Sequence, residues 1–327
     1  MEVARLAEKI AVTGCAGFIG SHLTERLLAE GMEVVGIDNF SAGCMANLEK
    51  ASENENFSLI EGDILSEEDL EELLDSVATV YHLAANPDVR LGADDTSVHL
   101  NQNIMGTYNL LEMMRKKNVK RISFTSTSTV YGEASEIPTP EDYGPLVPIS
   151  LYGASKLACE ALISSYCHTF DMSALLFRFA NVVGLRSNHG VIPDFISKLE
   201  KDNSTLEILG APPGTLKSYC HINDCIDAMI SAEKVSTERV GIYNIGSEDV
   251  IDVKTIADIV CEGMNLTKVK YAWSGGVDGG RGWIGDVRRM QLSISKLVST
   301  GWKPSMSSVD SIRTAVKELL EERSAQA

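Results

Sequence analysis

The chain has 327 residues, of which 44% are hydrophobic and 23% charged, the make-up of a folded globular protein and a length that favours two lobes over one core. Twenty-nine basic residues against 46 acidic ones leave a formal charge of −17, which argues against a nucleic-acid partner while leaving room for a small anionic ligand held by local cations. No apolar run reaches the ~18 residues of a membrane span. In chain order, Lys9–Thr13 reads as a strand ending in glycines, 18–30 as a helix stopped by Gly31, and Glu33–Asp38 as a second strand ending in an acid. Residues 57–60 read as a third strand, 67–74 as a helix with an acidic first turn, 79–83 as a fourth strand, 94–117 as one long helix and 121–126 as a fifth strand. Leu151–Phe170 reads as helix and 174–179 as strand. Beyond residue 180 glycines and prolines crowd 184–214, followed by helices over 222–234, 253–262 and 308–323, a strand over 242–245, and a frayed end over 324–327.

The opening MEVARLAEKIAVTG lacks the apolar stretch of a secretory leader. Seven cysteines, odd in number and without a CxxC pair, argue against a zinc site or a disulfide framework. Buried free thiols, no metal and a cytoplasmic location are therefore expected.

Thr13-Gly14-Cys15-Ala16-Gly17-Phe18-Ile19-Gly20 spaces glycines three residues apart between a strand and a helix. Gly14 allows the tight turn, Gly17 a close approach of pyrophosphate to the backbone, and Gly20 close packing of helix on sheet. The helix N-terminus adds free N–H groups and partial positive charge. Asp38 ends the next strand, where a carboxylate accepts hydrogen bonds from the adenosine ribose and repels a 2′-phosphate, so NAD is expected rather than NADP. Asp63-Ile64 and Leu83-Ala84-Ala85 follow the third and fourth strands, at the sheet edge where a cofactor lies; His82 reads as structural. With the βαβα alternation, the expectation is an α/β chain. It has a Rossmann-type doubly wound parallel sheet over 1–180, a returning strand near 241–246, and a smaller mixed α/β substrate lobe over 181–327.

Tyr152 and Lys156, at i and i+4, share one helix face. An ammonium near a phenol stabilises the phenolate, making Tyr152 a base for a substrate hydroxyl. The fifth strand ends in Thr125-Ser126-Thr127-Ser128-Thr129, whose hydroxyls can share that proton.

Taken together, these segments resemble the extended short-chain dehydrogenase/reductase family, most closely its UDP-glucose 4-epimerase type, from Thr13 to about Pro304. The resemblance rests on TGCAGFIG, Asp38-Asn39, GDI, HLAA, Asn103–Thr107, STSTVYG, YGASK and Arg178–Gly184. In the second lobe it continues through 206–210, Tyr219–Ile222 and Gly285-Asp286-Val287. It implies a nucleotide-sugar (UDP-hexose) substrate inverted at C4 through a transient 4-keto sugar. The pyrophosphate would lie on Gly14, Gly17, Phe18, Ile19 and Gly20, the ribose on Asp38, and the adenine on Asp63 and Ile64. Asn39, Ser41, Gly43, Leu83, Ala84, Ala85, Asn103 and Thr125 complete the cofactor set with Tyr152 and Lys156. Tyr152 would be the base, Lys156 its partner and Thr127 the second hydroxyl. Asn181, Val191, Leu206, Leu209, Lys217, Arg281 and Asp286 would line the nucleotide-sugar site. A homodimer through 94–117 and Leu151–Phe170, without membrane attachment, is a further implication.

The family's dehydratases carry an Asp-Glu pair, and its sugar-acid decarboxylases a Glu, where this chain has Ser128 and Thr129; that favours epimerisation. Dehydration, decarboxylation and epimerisation of a sugar acid or N-acetylhexosamine stay open, as do an NAD-dependent reductase and a non-catalytic NAD-sensing module. Lys217 stands where the family has Arg, keeping the charge without the bidentate fork, after an unusual Ala211-Pro212-Pro213 turn. Met290 stands where some epimerases have a bulky Tyr, which leaves room for N-acetylated sugars.

Overall fold

The structure is a computed structural model that describes residues 8–326. Met1–Ala7, on which most of the leader argument rests, and Ala327 lie outside the described residues.

Seven strands form one sheet in the order β11-β6-β5-β4-β1-β2-β3. They are β1 (Lys9–Thr13), β2 (Glu33–Asp38), β3 (Phe57–Glu61), β4 (Thr79–His82), β5 (Arg121–Thr127), β6 (Ser173–Phe179) and β11 (Val240–Ile245). The pairings β1–β2, β2–β3, β1–β4 and β4–β5 are parallel. Strand order reverses at β1, with β2 and β3 on one side and β4 on the other, the crevice where doubly wound sheets bind ligands. β1 and β4 are buried along nearly their whole length, as expected of strands covered on both faces.

Two compact units divide the chain. The first comprises 1–126, 155–177 and 236–242; the second comprises 127–154, 178–235 and 243–327. The first unit's core joins Ala11, Val35, Ile37 and Val80 of the sheet to Leu70, Leu73, Leu110, Leu111 and Met114 of the flanking helices. The second holds three small sheets: β7 (Asn181–Val183) with β10 (Tyr219–His221), β8 (Thr205–Ile208) with β13 (Lys270–Trp273), and β9 (Leu216–Lys217) between β12 (Ile251–Asp252) and β14 (Arg289–Met290). Its core collects Ile192, Phe195, Ile196, Leu206, Ile256, Val260, Ile312 and Val316. Glu318 ties the last helix to this unit, accepting hydrogen bonds from the Leu185 N–H (3.0 Å) and from the ring of His221 (3.1 Å).

Four expectations are corrected. The helix expected over 94–117 is interrupted at 95–97, after a short helix Leu91–Asp94, and from 98 runs through a π-helical stretch Leu100–Met105 into the helix Gly106–Lys117. The glycine- and proline-rich 184–214 contains a full helix, Val191–Lys201. The terminal helix continues to Gln326 rather than fraying from 324. Six cysteines are buried, but Cys44, on the loop after β2, is exposed.

Candidate active site

In the first unit, the residues expected to hold the cofactor gather at the C-terminal ends of β1, β2 and β4. Gly14 turns the chain with φ +71°, and a Cβ there would sit 2.8 Å from the Ala84 nitrogen. A Cβ at Gly20 would sit 2.0 Å from the Gly14 carbonyl oxygen, so only glycine lets the helix Phe18–Ala29 begin so close under the turn. Gly17 takes the N-cap position with no side chain capping the first turn, which leaves Phe18, Ile19 and Gly20 at an open helix N-terminus.

Asp38 is buried, and its two oxygens accept from the Ala16 N–H (2.9 Å) and the Phe40 N–H (2.8 Å). Burial pushes its carboxyl above the usual range, with those two hydrogen bonds acting in the opposite direction. Each oxygen keeps a second acceptor position. Asn39 donates to the Asp63 carboxylate (2.9 Å), and its own carbonyl accepts from the N–H and hydroxyl of Ser41. Gly43 lies against the backbone of Ala16, 2.6 Å from where a Cβ would stand. The Ile64 side chain belongs to the core.

At the end of β4 a chain of hydroxyls surrounds His82. Thr13 Oγ1 accepts from the Leu83 and Ala84 N–H groups (3.1 Å each) and lies 2.8 Å from His82 Nδ1. Thr107 Oγ1 lies 3.0 Å from Nε2 and donates to the Asn103 carbonyl. Thr13, with its acceptor positions filled by two N–H groups, gives its proton to Nδ1; Nε2 therefore carries the hydrogen and donates to Thr107. Burial holds His82 neutral, pushed down to about 3. His82 is thus a structural strut for Leu83, Ala84 and the half-buried Ala85. Asn103, in the π-helical stretch, accepts from the Asn86 N–H (2.8 Å) and donates to Ser155 Oγ (3.0 Å).

β5 and the helix Leu151–Phe170 carry the candidate reactive groups. Lys156 is buried, donates to the Thr125 carbonyl (2.9 Å) and lies 4.6 Å from the centre of the Phe124 ring. The Thr125 hydroxyl donates to the His82 carbonyl (3.3 Å). One residue further along β5 than Ser126, Thr127 Oγ1 accepts from the N–H and hydroxyl of Thr129 (3.2 Å each). Tyr152 is half-buried in the first turn of the helix, one turn before Lys156. Gly153 brings that turn against the strand end: a Cβ on it would stand 2.8 Å from the Thr129 carbonyl oxygen. Tyr131 donates to Asn244 (2.8 Å) and accepts from Arg178 (3.0 Å), which fixes the far side of the turn Ser128–Tyr131.

The remaining residues belong to the second unit. Asn181 donates to the Ser218 carbonyl (3.0 Å). Val191 opens its helix and is half-buried, as is Leu209, whereas Leu206 is sealed in the core. Lys217 Nζ lies 2.5 Å from Asp286 and 5.4 Å from the centre of the Trp283 ring. Arg281 forms a two-pronged pair with Glu133 (2.8 Å on each side) and donates to the Asp286 carbonyl (2.7 Å). That guanidinium holds the Glu133 carboxyl below its usual range. Sequence reasoning missed Thr13, Thr107, Glu133 and Asn244, whose partners lie 25 to 148 residues away.

The glycine cradle, the open helix N-terminus and the buried acid after β2 fit a dinucleotide. The model of the NAD dependent epimerase/dehydratase family matches residues 10–246. The chain belongs to that family. Among epimerase relatives, a Methanocaldococcus jannaschii protein provisionally named a UDP-glucose 4-epimerase is 32% identical over 94% of this chain and 97% of its own. A crystal structure of UDP-galactose 4-epimerase superposes with TM-score 0.85 at 37% identity, covering 96% of this chain and 99% of that one. A UDP-glucuronic acid 4-epimerase from Bacillus cereus, solved with NAD, superposes with TM-score 0.86 at 29% identity over 96% and 99%. The sheet is thus the Rossmann-type sheet of this NAD-dependent epimerase family. No helix among the described residues is long and apolar enough to cross a membrane, and no group of His, Cys, Asp and Glu among them is placed to hold a metal.

Proposed function

We propose that the chain inverts C4 of a UDP-hexose, of the UDP-glucose/UDP-galactose type, through a 4-keto sugar. The observation that carries this reading is the strand end. Thr127, Ser128 and Thr129 offer hydroxyls beside the helix turn that bears Tyr152, and none of these three positions carries the acid that would drive elimination or serve a decarboxylation.

NAD held by Gly14, Gly17–Gly20, Asp38 and Lys156 supplies a reversible hydride acceptor. Lys156, as an ammonium, favours the phenolate of Tyr152, which takes the proton of the sugar 4-hydroxyl and later returns it. Thr127 shares that proton. Asn181, Lys217, Arg281 and Asp286 are the groups proposed to hold the uridine diphosphate, with Lys217 acting as a point charge rather than a fork.

Incubation with UDP-galactose, without added reductant, tests the proposal by chromatography. UDP-glucose should appear with no net NADH. A 4-keto-6-deoxy product, or stoichiometric NADH, overturns it. The same assay with UDP-N-acetylglucosamine tests the room left by Met290, and no turnover there excludes the N-acetylated class.

A further inference from the structure

The glycine turn after β1 is held by the loop that follows β2, through a residue with no part in the scheme above. Two consecutive peptide planes are involved. The Ala16 N–H donates to Asp38 Oδ2 (2.9 Å), which fixes the plane shared by Cys15 and Ala16. The Ala16 carbonyl lies in the next plane, shared with Gly17. It accepts from the side-chain amide of Asn47 (2.8 Å) and from the Cys44 N–H (3.2 Å). A carbonyl oxygen has two lone pairs, so both of its acceptor positions are filled. At the other end of the plane the Gly17 N–H donates to the Gly14 carbonyl (3.2 Å). A peptide unit is flat and rigid, so partners at both ends fix its tilt.

The loop is shaped for this contact. Cys44, Met45 and Ala46 are exposed, whereas Asn47 is half-buried and Leu48 fully buried. The Asn47 N–H donates to the Cys44 carbonyl (3.1 Å), which closes a single 3₁₀ turn over Met45–Leu48. Gly43 passes so near that a Cβ on it would stand 2.6 Å from the Ala16 carbonyl carbon. Facing a carbonyl oxygen, the Asn47 side chain must present its NH₂ group, the only donor it has.

The plane of Ala16 and Gly17 leads straight into the N-cap and the uncapped turn that starts at Phe18. A pyrophosphate on that turn is held by backbone N–H groups, and such bonds weaken steeply as the N–H···O angle closes. The tilt of the plane before the N-cap therefore governs where those N–H groups aim.

We propose that Asn47 is a positioning residue for the cofactor's pyrophosphate, acting through the Ala16 carbonyl on the aim of the helix N-terminus. This role needs only a dinucleotide on the glycine turn, whichever sugar is turned over.

The test uses the full-length chain freed of nucleotide. ADP and adenosine each displace NADH, and the displacement is read by NADH fluorescence. Adenosine reports the end of the site at Asp38, and ADP adds the pyrophosphate. In Asn47→Ala the Ki of ADP should rise about fivefold or more, as for the loss of one hydrogen bond, while that of adenosine stays within about twofold. The melting temperature should stay near wild type, because Leu48 still anchors the loop. An unchanged ADP affinity overturns the proposal, since the helix N-terminus would then be aimed without Asn47. A parallel loss of ADP and adenosine also overturns it, since the loop would then support the whole nucleotide site rather than the pyrophosphate. Should Asn47→Ala not fold, Asn47→Ser, whose side chain is one bond shorter, is judged by the same ratio. Absence of turnover with UDP-galactose leaves these binding measurements untouched, so the two readings fail separately.

Discussion

Tyr152 and Gly20 test the site one atom group at a time. Tyr152→Phe removes one hydroxyl, the proposed proton acceptor, and should cut turnover ~100-fold or more while cofactor stays bound; near-normal kcat with bound NAD would remove Tyr152 from the mechanism. Gly20→Ala asks for a methyl group 2.0 Å from a backbone carbonyl oxygen, a contact that rigid backbone on both sides cannot relieve. The helix start must move, at a cost of ~1–3 kcal/mol for overpacking, and NAD retention measured by fluorescence should fall at least tenfold. His82 carries a pH signature. Its folded state sits at about 3, well below the ordinary 6.5. The stability it contributes is therefore complete above pH 6.5 and is lost as pH falls toward 3. The stability gap between wild type and His82→Asn, read by urea denaturation, should narrow by ~1.4 kcal/mol per pH unit across that window. A constant gap would mean that the ring is charged in the fold.

At the scale of elements, what was legible in the sequence depended on how local the signal was. β1, β2 and Leu151–Phe170 begin and end where periodicity and the flanking glycines and acid place them. The single helix over 94–117 was misread because hydrophobic spacing does not register a widened turn. The break lies at 95–97, where Asp95 accepts from the N–H and hydroxyl of Ser97, and Asn103 in the widened stretch reaches Asn86 and Ser155, 17 and 52 residues away. The helix Val191–Lys201 lies inside the glycine- and proline-rich stretch 184–214, whose composition gave no helical signal. Gly190 takes the N-cap position at φ +106°, and Pro193 lies in the first turn, where its missing N–H costs nothing. Motif residues such as Asp38 and Tyr152 were legible because spacing alone locates them. The Thr13–His82–Thr107 strut and the Arg281–Glu133 pair were not, because chain folding creates them.

For the whole molecule, charge is the decisive quantity. The two cations proposed to meet the diphosphate are already paired, Lys217 with Asp286 and Arg281 with Glu133, so their local pull on an anion is largely cancelled. The net charge of −17 then dominates at long range. Between ~20 and ~200 mM salt, where the Debye length contracts from roughly 20 Å to below 10 Å, the KM for the UDP-sugar should stay flat or fall. A steep rise with salt would show that those cations meet the substrate unpaired.

The strand β11 closes the sheet beside β6, yet it is encoded some 60 residues later, after most of the second unit's first half. A nascent chain that has cleared the ribosome only to residue 180 carries six strands and a naked β6 border, with unpaired N–H and C=O groups along a buried-type strand. Such an intermediate is a template for edge-to-edge association. Production of the nucleotide-binding half alone therefore calls for the peptide 236–246 to be supplied in trans or grafted after residue 180. Insertions between 184 and 235 lengthen the wait before the border is sealed, and so act on folding yield rather than on the finished site.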